Sequence, residues 1–84
     1  MSTPNSIVPS ETARHVLWMF GREGGYRPGS FTQRLLELLA HADNVNMAKL
    51  ALSYPAEAEA VRMAQYDEDG VARLYAIASG EVAA

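Results

Sequence analysis

The sequence predicts an all-α fold, an irregular or orthogonal bundle of four to five short helices. Three observations favour it: Ala, Leu and Met dominate the apolar residues, apolar side chains recur at helical spacing, and helix-start and helix-stop residues separate the periodic segments. A hydrophobic fraction of 49% is enough to build a packed core. A chain of 84 residues has room for one such core, so we expect a single domain over residues 10–80.

The first helix is predicted over residues 11–20. Ser10 is its candidate N-cap, and Gly21 offers the left-handed conformation that ends many helices. Residues 21–29 hold four of the six glycines and a proline, which is typical of a loop. Residues 1–9 contain two prolines and small polar side chains, so we expect a disordered N-terminal segment there and a short C-terminal tail over residues 81–84.

The second helix is predicted over residues 31–42, and its broad apolar stripe makes it the best candidate for the central helix. Ser30 and Gln33 have the form of a capping box at its start. The third helix is predicted over residues 45–53, after Asp43 and Asn44, which are both good N-caps. So short a break implies a tight corner or an antiparallel pair.

The fourth helix is predicted over residues 55–66, because Pro55 suits a first helical turn. Residues 71–78 fit a fifth helix that ends near Gly80, although alternating apolar residues after Gly70 leave a hairpin strand as the alternative. The predicted core consists of Trp18, Phe20, Phe31, Leu35, Leu38, Leu39, Leu50, Val61, Leu74 and Tyr75.

No catalytic, cofactor or metal motif is present, so we expect a non-enzymatic protein without a cofactor. His15 and His41 lie on different predicted helices, and the chain has no cysteine. We expect both histidines at helix surfaces, with His41 paired to Glu37. The acidic run over residues 67–69 lacks the closing ligand of a calcium loop and is better explained as an acidic cap on the fifth helix.

The glycine-rich segment 21–29 is the candidate functional region. An anion site there is disfavoured, because the segment follows a helix and contains no lysine. Arginine and tyrosine are enriched at protein-binding hot spots, and several lie on or next to this loop. The predicted partner-binding residues are Arg14, Arg22, Tyr26, Arg27 and Arg34. The alternative is that Trp18 is core, the arginines are solvated and the glycines only turn the chain.

Two other functions compete with protein binding. The second and third helices resemble a helix-turn-helix in spacing, but the third offers only Asn44, Asn46 and Lys49 to DNA, with no arginine. Residues 43–84 carry seven acids against three bases, which makes a nucleic-acid partner less favoured than a protein. A self-assembling structural component is also consistent with so small a chain.

The N-terminal residues do not have the pattern of a targeting signal, and no apolar run approaches the ~20 residues of a membrane span. These features favour a cytoplasmic protein that does not enter a membrane.

Residues 24–66 contain the segments Gly-Gly-Tyr-Arg-Pro-Gly-Ser-Phe, Leu-Leu, Ala-Asp-Asn-Val-Asn and Leu-Ala-Leu-Ser-Tyr-Pro. This run, about half of the chain, resembles small uncharacterised proteins encoded by phages and prophages of actinobacteria. The resemblance lies in loops and helix caps and carries over no functional residues. It implies a short phage accessory protein, made in a bacterial cytoplasm. The leading functional prediction is a protein-interaction module that modulates a host factor.

Overall fold

The computed structural model describes residues 7–80, which form five α-helices. They are α1 (Ser10–Met19), α2 (Ser30–His41), α3 (Asn44–Ser53), α4 (Pro55–Tyr66) and α5 (Gly70–Ala78). The predicted all-α bundle is confirmed, and every helix lies within one residue of its predicted bounds. Because residues 71–78 are helical, the strand alternative is wrong. Residues 1–6 and 81–84, parts of the predicted N-terminal segment and tail, lie outside the described residues.

The packed part of the chain begins before the first helix. Val8 is buried in the core, with 3% of its surface exposed. Pro9 is the N-cap of α1, and its carbonyl oxygen accepts the Ala13 N–H at 3.0 Å. Ser10 is therefore the first helical residue rather than the N-cap that the sequence predicts, and Val8, from the segment expected to be disordered, packs in the core.

Two helix boundaries have the predicted chemistry. The Asp43 side chain accepts the Asn46 backbone N–H at 2.8 Å and caps α3. Gly21 takes a φ of 71°, and the next N–H, of Arg22, donates to the Leu17 carbonyl at 2.8 Å. This hydrogen bond spans five residues instead of the four of an α-helix, and the left-handed Gly21 makes it possible. It satisfies a carbonyl that would otherwise be unpaired at the end of α1.

The predicted capping box at the start of α2 is wrong. Gly29 occupies the N-cap and Ser30 is already helical. The Gln33 side chain turns outward, accepting from Arg27 Nε at 3.2 Å and donating to Glu37 Oε2 at 3.3 Å. The Gln33 side-chain amide therefore bonds Arg27 and Glu37 at the surface and not a backbone N–H group at the start of α2.

Helix α4 is the centre of the bundle, since it packs against each of the other four helices. Its Ala58, Ala60, Val61 and Met63 are buried. Small side chains let helix axes approach closely on more than one side. The prediction that the second helix is central is wrong: α2 packs against α1 and α4 only, apart from at most marginal contacts.

One apolar core fills the space between the helices. Four predicted core residues, Leu35, Leu39, Val61 and Leu74, are buried, which confirms them. The largest fully buried side chains in the described residues are Leu17, Leu36, Leu39, Met63, Leu74, Val16 and Val61. Trp18, Phe20 and Leu50, also predicted as core, are only half-buried, and of the three Phe20 and Leu50 pack against the core.

Three core predictions are wrong. Phe31, Leu38 and Tyr75 are 67%, 55% and 38% exposed. The apolar side chains of α2 cover more of its circumference than α1 and α4 do. Phe31 and Leu38 therefore lie outside the interface of α2 with these two helices. The ring of Tyr75 lies at the surface against Gly24 of the loop.

Two glycines allow backbone contacts that a side chain would prevent. A Cβ on Gly70, the first residue of α5, would overlap the Met63 carbonyl of α4. A Cβ on Gly25 would overlap the α1 backbone at Arg14 and Trp18. The missing side chain, rather than an unusual dihedral angle, is what these two positions require.

We predict that Gly70→Ala destabilises the fold. Relieving the overlap with the Met63 carbonyl requires α5 to shift, which should lower the unfolding free energy by about 1–3 kcal/mol. Urea unfolding followed by circular dichroism measures this. Gly29→Ala is the matched control, because a Cβ there meets nothing within 4 Å; its cost should not exceed about 1 kcal/mol, the loss from placing Ala at the N-cap of α2. Equal stability of the two variants would contradict the close contact at Gly70.

Two arginines hold two carboxylates at the end of α4. Arg62 donates to Glu59 Oε2 at 2.8 Å and to Asp67 Oδ1 at 2.9 Å, and Arg73 donates to Asp67 Oδ2 at 3.2 Å. Asp69 occupies the N-cap of α5 without a side-chain cap hydrogen bond. The acidic run therefore ties α4 to α5 through Asp67, in addition to lying at the start of α5 as predicted.

The network lowers the pKa of both carboxyl groups. Hydrogen bonding from Arg62 is the main cause, and it holds the pKa of Glu59 below its ordinary 4.5 and that of Asp67 below its ordinary 3.8. Both groups thus bind a proton less readily in the folded chain than in the unfolded chain.

A pH dependence of stability follows. A depressed carboxyl pKa contributes stability that is fully present above the unfolded value, here about 4.5 for Glu59, and that is lost as the pH falls through the folded value. Urea unfolding from pH 6 to pH 3 should show stability falling below about pH 4.5. Arg62→Ala should flatten this fall, whereas Arg22→Ala, a control outside the network, should follow the parent. Parallel profiles for the parent and Arg62→Ala would contradict the assignment.

Candidate functional site

The glycine-rich loop predicted as the functional region is folded back on α1. The Tyr26 N–H donates to the Arg14 carbonyl at 3.3 Å, and Pro28 is buried. Gly25 lies directly against the α1 backbone. Residues 20–29 therefore act as a strap along α1.

Arg14 fastens this strap. One guanidinium nitrogen donates to the Gly24 carbonyl at 3.2 Å and the other to the Ala78 carbonyl, in the last turn of α5, at 2.8 Å. A cation is favourable at the C-terminal end of a helix. The guanidinium carbon also lies 6.0 Å from the centre of the Tyr26 ring. Arg14 thus joins α1, the loop and α5 within the chain.

Arg27 is also held internally. Its guanidinium lies 5.7 Å from the centre of the Trp18 ring, and its Nε donates to Gln33 at 3.2 Å. Beside it, the Tyr26 ring meets the edge of His15 at 5.3 Å between centroids. Cation–π and edge-to-face contacts of this kind orient exposed side chains at modest gain in stability.

The remaining predicted site residues face solvent. Arg22 and Arg34 are exposed, and no residue among 7–80 pairs with either guanidinium; Tyr26 is 47% exposed. The structure brings Arg14 together with Tyr26, and Arg27 together with Arg34. The latter pair lies on a depression of about 250 Å³ lined by Arg27, Ser30, Gln33, Arg34 and Glu37.

The two histidines lie apart. His15 Nε2 is 4.0 Å from a Glu11 carboxylate oxygen. His41 Nδ1 donates at 2.8 Å to Glu37, but to its backbone carbonyl and not to the carboxylate. Across the described part of the chain, no three His, Cys, Asp or Glu side chains are grouped to hold a metal ion.

Helix α3 has apolar residues on both of its faces. One face packs on α4 and is half-buried; it consists of Met47, Leu50 and Ala51, continued by Tyr54 at the end of the helix. On the other, Val45 is 64% and Leu52 86% exposed, with Ala48 between them. No residue of α3 is buried. A surface helix normally turns polar side chains to solvent, so the exposed apolar side of α3 is unusual.

A groove lies between α2 and α3. The two helices meet at a corner of two residues, and Phe31 at the start of α2 lies near Tyr54 at the end of α3, with ring centroids 6.3 Å apart. Each helix packs on α4 and hardly on the other. The groove at their corner is about 450 Å³ and is lined by Leu38, His41, Ala42, Asp43, Asn46, Lys49 and Leu50.

We call this groove, lined by the exposed Leu38, together with the exposed Phe31, Val45 and Leu52 elsewhere on the two helices, the α2–α3 surface. Single exposed apolar residues are ordinary, but several on two consecutive helices are typical of an interaction site. Sequence reasoning placed Phe31 and Leu38 in the core and did not select Val45 or Leu52. The second apolar stripe of α3, Val45, Ala48 and Leu52 at i, i+3 and i+7, is the signal that indicates the surface.

Comparison of the chain with family models, with curated proteins and with solved structures finds no match in any of the three. None of the five helices described has the length and apolar character needed to cross a membrane.

We predict that Arg14→Ala loosens the strap. The substitution removes a charged donor from the Gly24 and Ala78 carbonyls, which should cost about 1–3 kcal/mol of unfolding free energy. It should also speed amide hydrogen exchange in residues 20–29 under native conditions. Arg22→Ala, which removes an equally charged but unpaired side chain from the same loop, should change neither quantity. Identical behaviour of the two variants would show that Arg14 does not hold the loop.

Proposed function

We propose that this chain is a non-enzymatic protein-interaction module whose binding surface is the α2–α3 surface. The observation that carries the proposal is that α3, apolar on both faces, has no buried residue. Interface cores are built from apolar and aromatic side chains that surround a pocket and are exposed before binding. Phe31, Leu38 and Leu52 are exposed, and Leu38 lines the groove.

The energetics support a partner. Burying one Leu or Phe side chain stabilises a fold by about 1.5–3 kcal/mol, and a domain of this size has little stability in reserve. Leaving Phe31, Leu38, Val45 and Leu52 in solvent therefore forgoes stabilisation that the free chain needs. A protein that covers them recovers it on binding. The resemblance to phage-encoded proteins favours a host factor in a bacterial cytoplasm as that protein.

The loop is the second candidate surface. Tyr26 and Arg22 are exposed there and remain suitable for contact with a partner. Arg14 and Arg27 are occupied by internal contacts, which leaves fewer groups for binding than the sequence suggests. For this reason we rank the loop below the α2–α3 surface.

The other functions considered from the sequence are less favoured. A DNA-recognition helix presents polar and basic side chains, whereas the solvent-facing side of α3 is formed by Val45, Ala48 and Leu52. Self-assembly would use the same α2–α3 surface and is separated from partner binding by the experiment below.

Site-specific photo-crosslinking tests the proposal. Benzoylphenylalanine is placed at Leu52 on the α2–α3 surface or at Tyr26 on the loop, in full-length protein expressed in an actinobacterial host. We expect irradiation to give one discrete adduct with a second protein from Leu52 and none from Tyr26. The Leu52 adduct should disappear when Leu38→Ser is added, because that side chain lines the groove.

Leu38 is already 55% exposed, so Leu38→Ser should leave the unfolding free energy within about 0.5 kcal/mol. Loss of the adduct then reports on the surface and not on folding. An adduct from Tyr26 alone would move the binding surface to the loop. An adduct between two copies of the chain would indicate self-assembly, and no adduct from either position would contradict the module.

A further inference from the structure

One polar and one apolar contact connect the strap with α5, and both involve Gly24. The Gly24 carbonyl accepts one guanidinium nitrogen of Arg14 at 3.2 Å, while the other nitrogen donates to the Ala78 carbonyl at 2.8 Å. The Tyr75 ring of α5 lies against Gly24 itself, since a Cβ added there would be 3.4 Å from a ring carbon. Both contacts therefore depend on the position of the same strap residue.

Arg14 completes the C-terminal end of α5. The last four carbonyls of an α-helix lack partners within the helix. Here the carbonyls of residues 75–77 accept from Ser79 or Gly80, directly after the helix. The Ala78 carbonyl accepts from Arg14, which is 64 residues away in the sequence, and α5 has no basic residue in its own last turn. The cation that stabilises this helix end therefore comes from α1.

The other attachments of the strap are weak. Apart from Pro28, residues 20–29 are exposed or half-buried. The Tyr26 N–H reaches the Arg14 carbonyl at 3.3 Å, which is long for a hydrogen bond between backbone groups. Segments with few buried contacts open locally at a lower free-energy cost than the whole fold. The strap therefore opens more easily than the helical core.

Opening of the strap and release of the end of α5 affect each other. When Gly24 moves away, the Arg14 guanidinium loses one of its two acceptors, and the Tyr75 ring loses the backbone it packs on. When the last turn of α5 unwinds, Arg14 loses its other acceptor, the Ala78 carbonyl. Events that share contacts are coupled, and the coupling free energy acts equally in both directions.

We propose that the strap and the last turn of α5 open and close as one unit, through Gly24 and Arg14. A partner bound at Tyr26 and Arg22, which are exposed on the closed strap, would then stabilise the end of α5 as well. None of these residues belongs to the α2–α3 surface. The inference therefore goes beyond the proposed function, and its failure would leave that function in place.

Amide hydrogen exchange of the full chain, resolved by residue under native conditions, tests the coupling in both directions. Tyr75→Ala lies in α5, where alanine is a good helix former, and should speed exchange of the Tyr26 N–H in the strap about fivefold. Gly24→Ala lies in the strap, where a φ of 87° is unfavourable for alanine. It should speed exchange of the Ser79 and Gly80 N–H groups at the end of α5, again about fivefold.

Matched controls make the same substitutions away from the contacts. Tyr66→Ala removes an exposed ring from the end of α4, and Gly29→Ala adds a Cβ that meets nothing within 4 Å. The Val61 N–H, in the buried centre of α4, reports opening of the whole fold. Relative to Val61, neither control should change exchange in the strap or at the end of α5.

The comparison with Val61 decides the result. Faster exchange in the segment that was not substituted, beyond any change at Val61, supports the single unit. If each substitution speeds exchange only in its own segment, or acts on the other segment no more than on Val61, the two segments open independently and the inference is overturned. Should Gly24→Ala not fold, Tyr75→Ala alone decides, because that ring is already partly exposed.

Discussion

The bundle depends on the narrow sides of α4. Because Ala58 and Ala60 have short side chains, other helices approach α4 closely around most of its circumference, and Gly70 extends this close approach to the start of α5. The same constraint keeps α2 and α3 apart. Both direct their core-facing residues at α4 and make little contact with each other, unlike α1 and α5, which pack on α4 and also on each other. The cavity at the α2–α3 corner lies where this mutual contact is missing.

The contact between the loop and α1 is closed by polar groups. Residues 20–29 cover α1, and Arg14 connects them to the end of α5 through two backbone carbonyls. Charge-assisted hydrogen bonds of this kind hold a glycine-rich segment without requiring a large apolar contact. The loop and the α2–α3 surface therefore differ: Arg14 in the loop region is hydrogen-bonded within the chain, whereas apolar side chains of the α2–α3 surface are exposed to solvent.

Helix bounds were predictable because their determinants are local. A cap such as Asp43 or a left-handed stop such as Gly21 acts within four or five residues of its partner. Which part of an apolar stripe is covered is not local. Phe31 and Leu38 repeat with the same period as Leu35, yet only Leu35 is buried. Periodicity identifies an apolar face but not the width of the neighbour that covers it.

The candidate site was harder to predict for a related reason. Arg14 is separated from its two acceptors by 10 and 64 residues, so sequence spacing cannot show that it is used internally. The alanines of α4 were explained by helix propensity, although their main role is to be small at the centre of the bundle. The apolar excess of α3 was visible in the sequence, but its meaning depends on the position of α4.

Helix α3 links the stability of the domain to its proposed role. A helix of 10 residues is marginal in isolation, because nucleation is costly and few hydrogen bonds follow it. In the free chain α3 relies on the Asp43 cap and on half-buried contacts with α4. A partner that binds only the folded state adds stability, about 2.7 kcal/mol at a hundred times its Kd. That is comparable to burying one further leucine. The side chains that the core leaves uncovered are therefore the ones through which binding would complete the packing of α3.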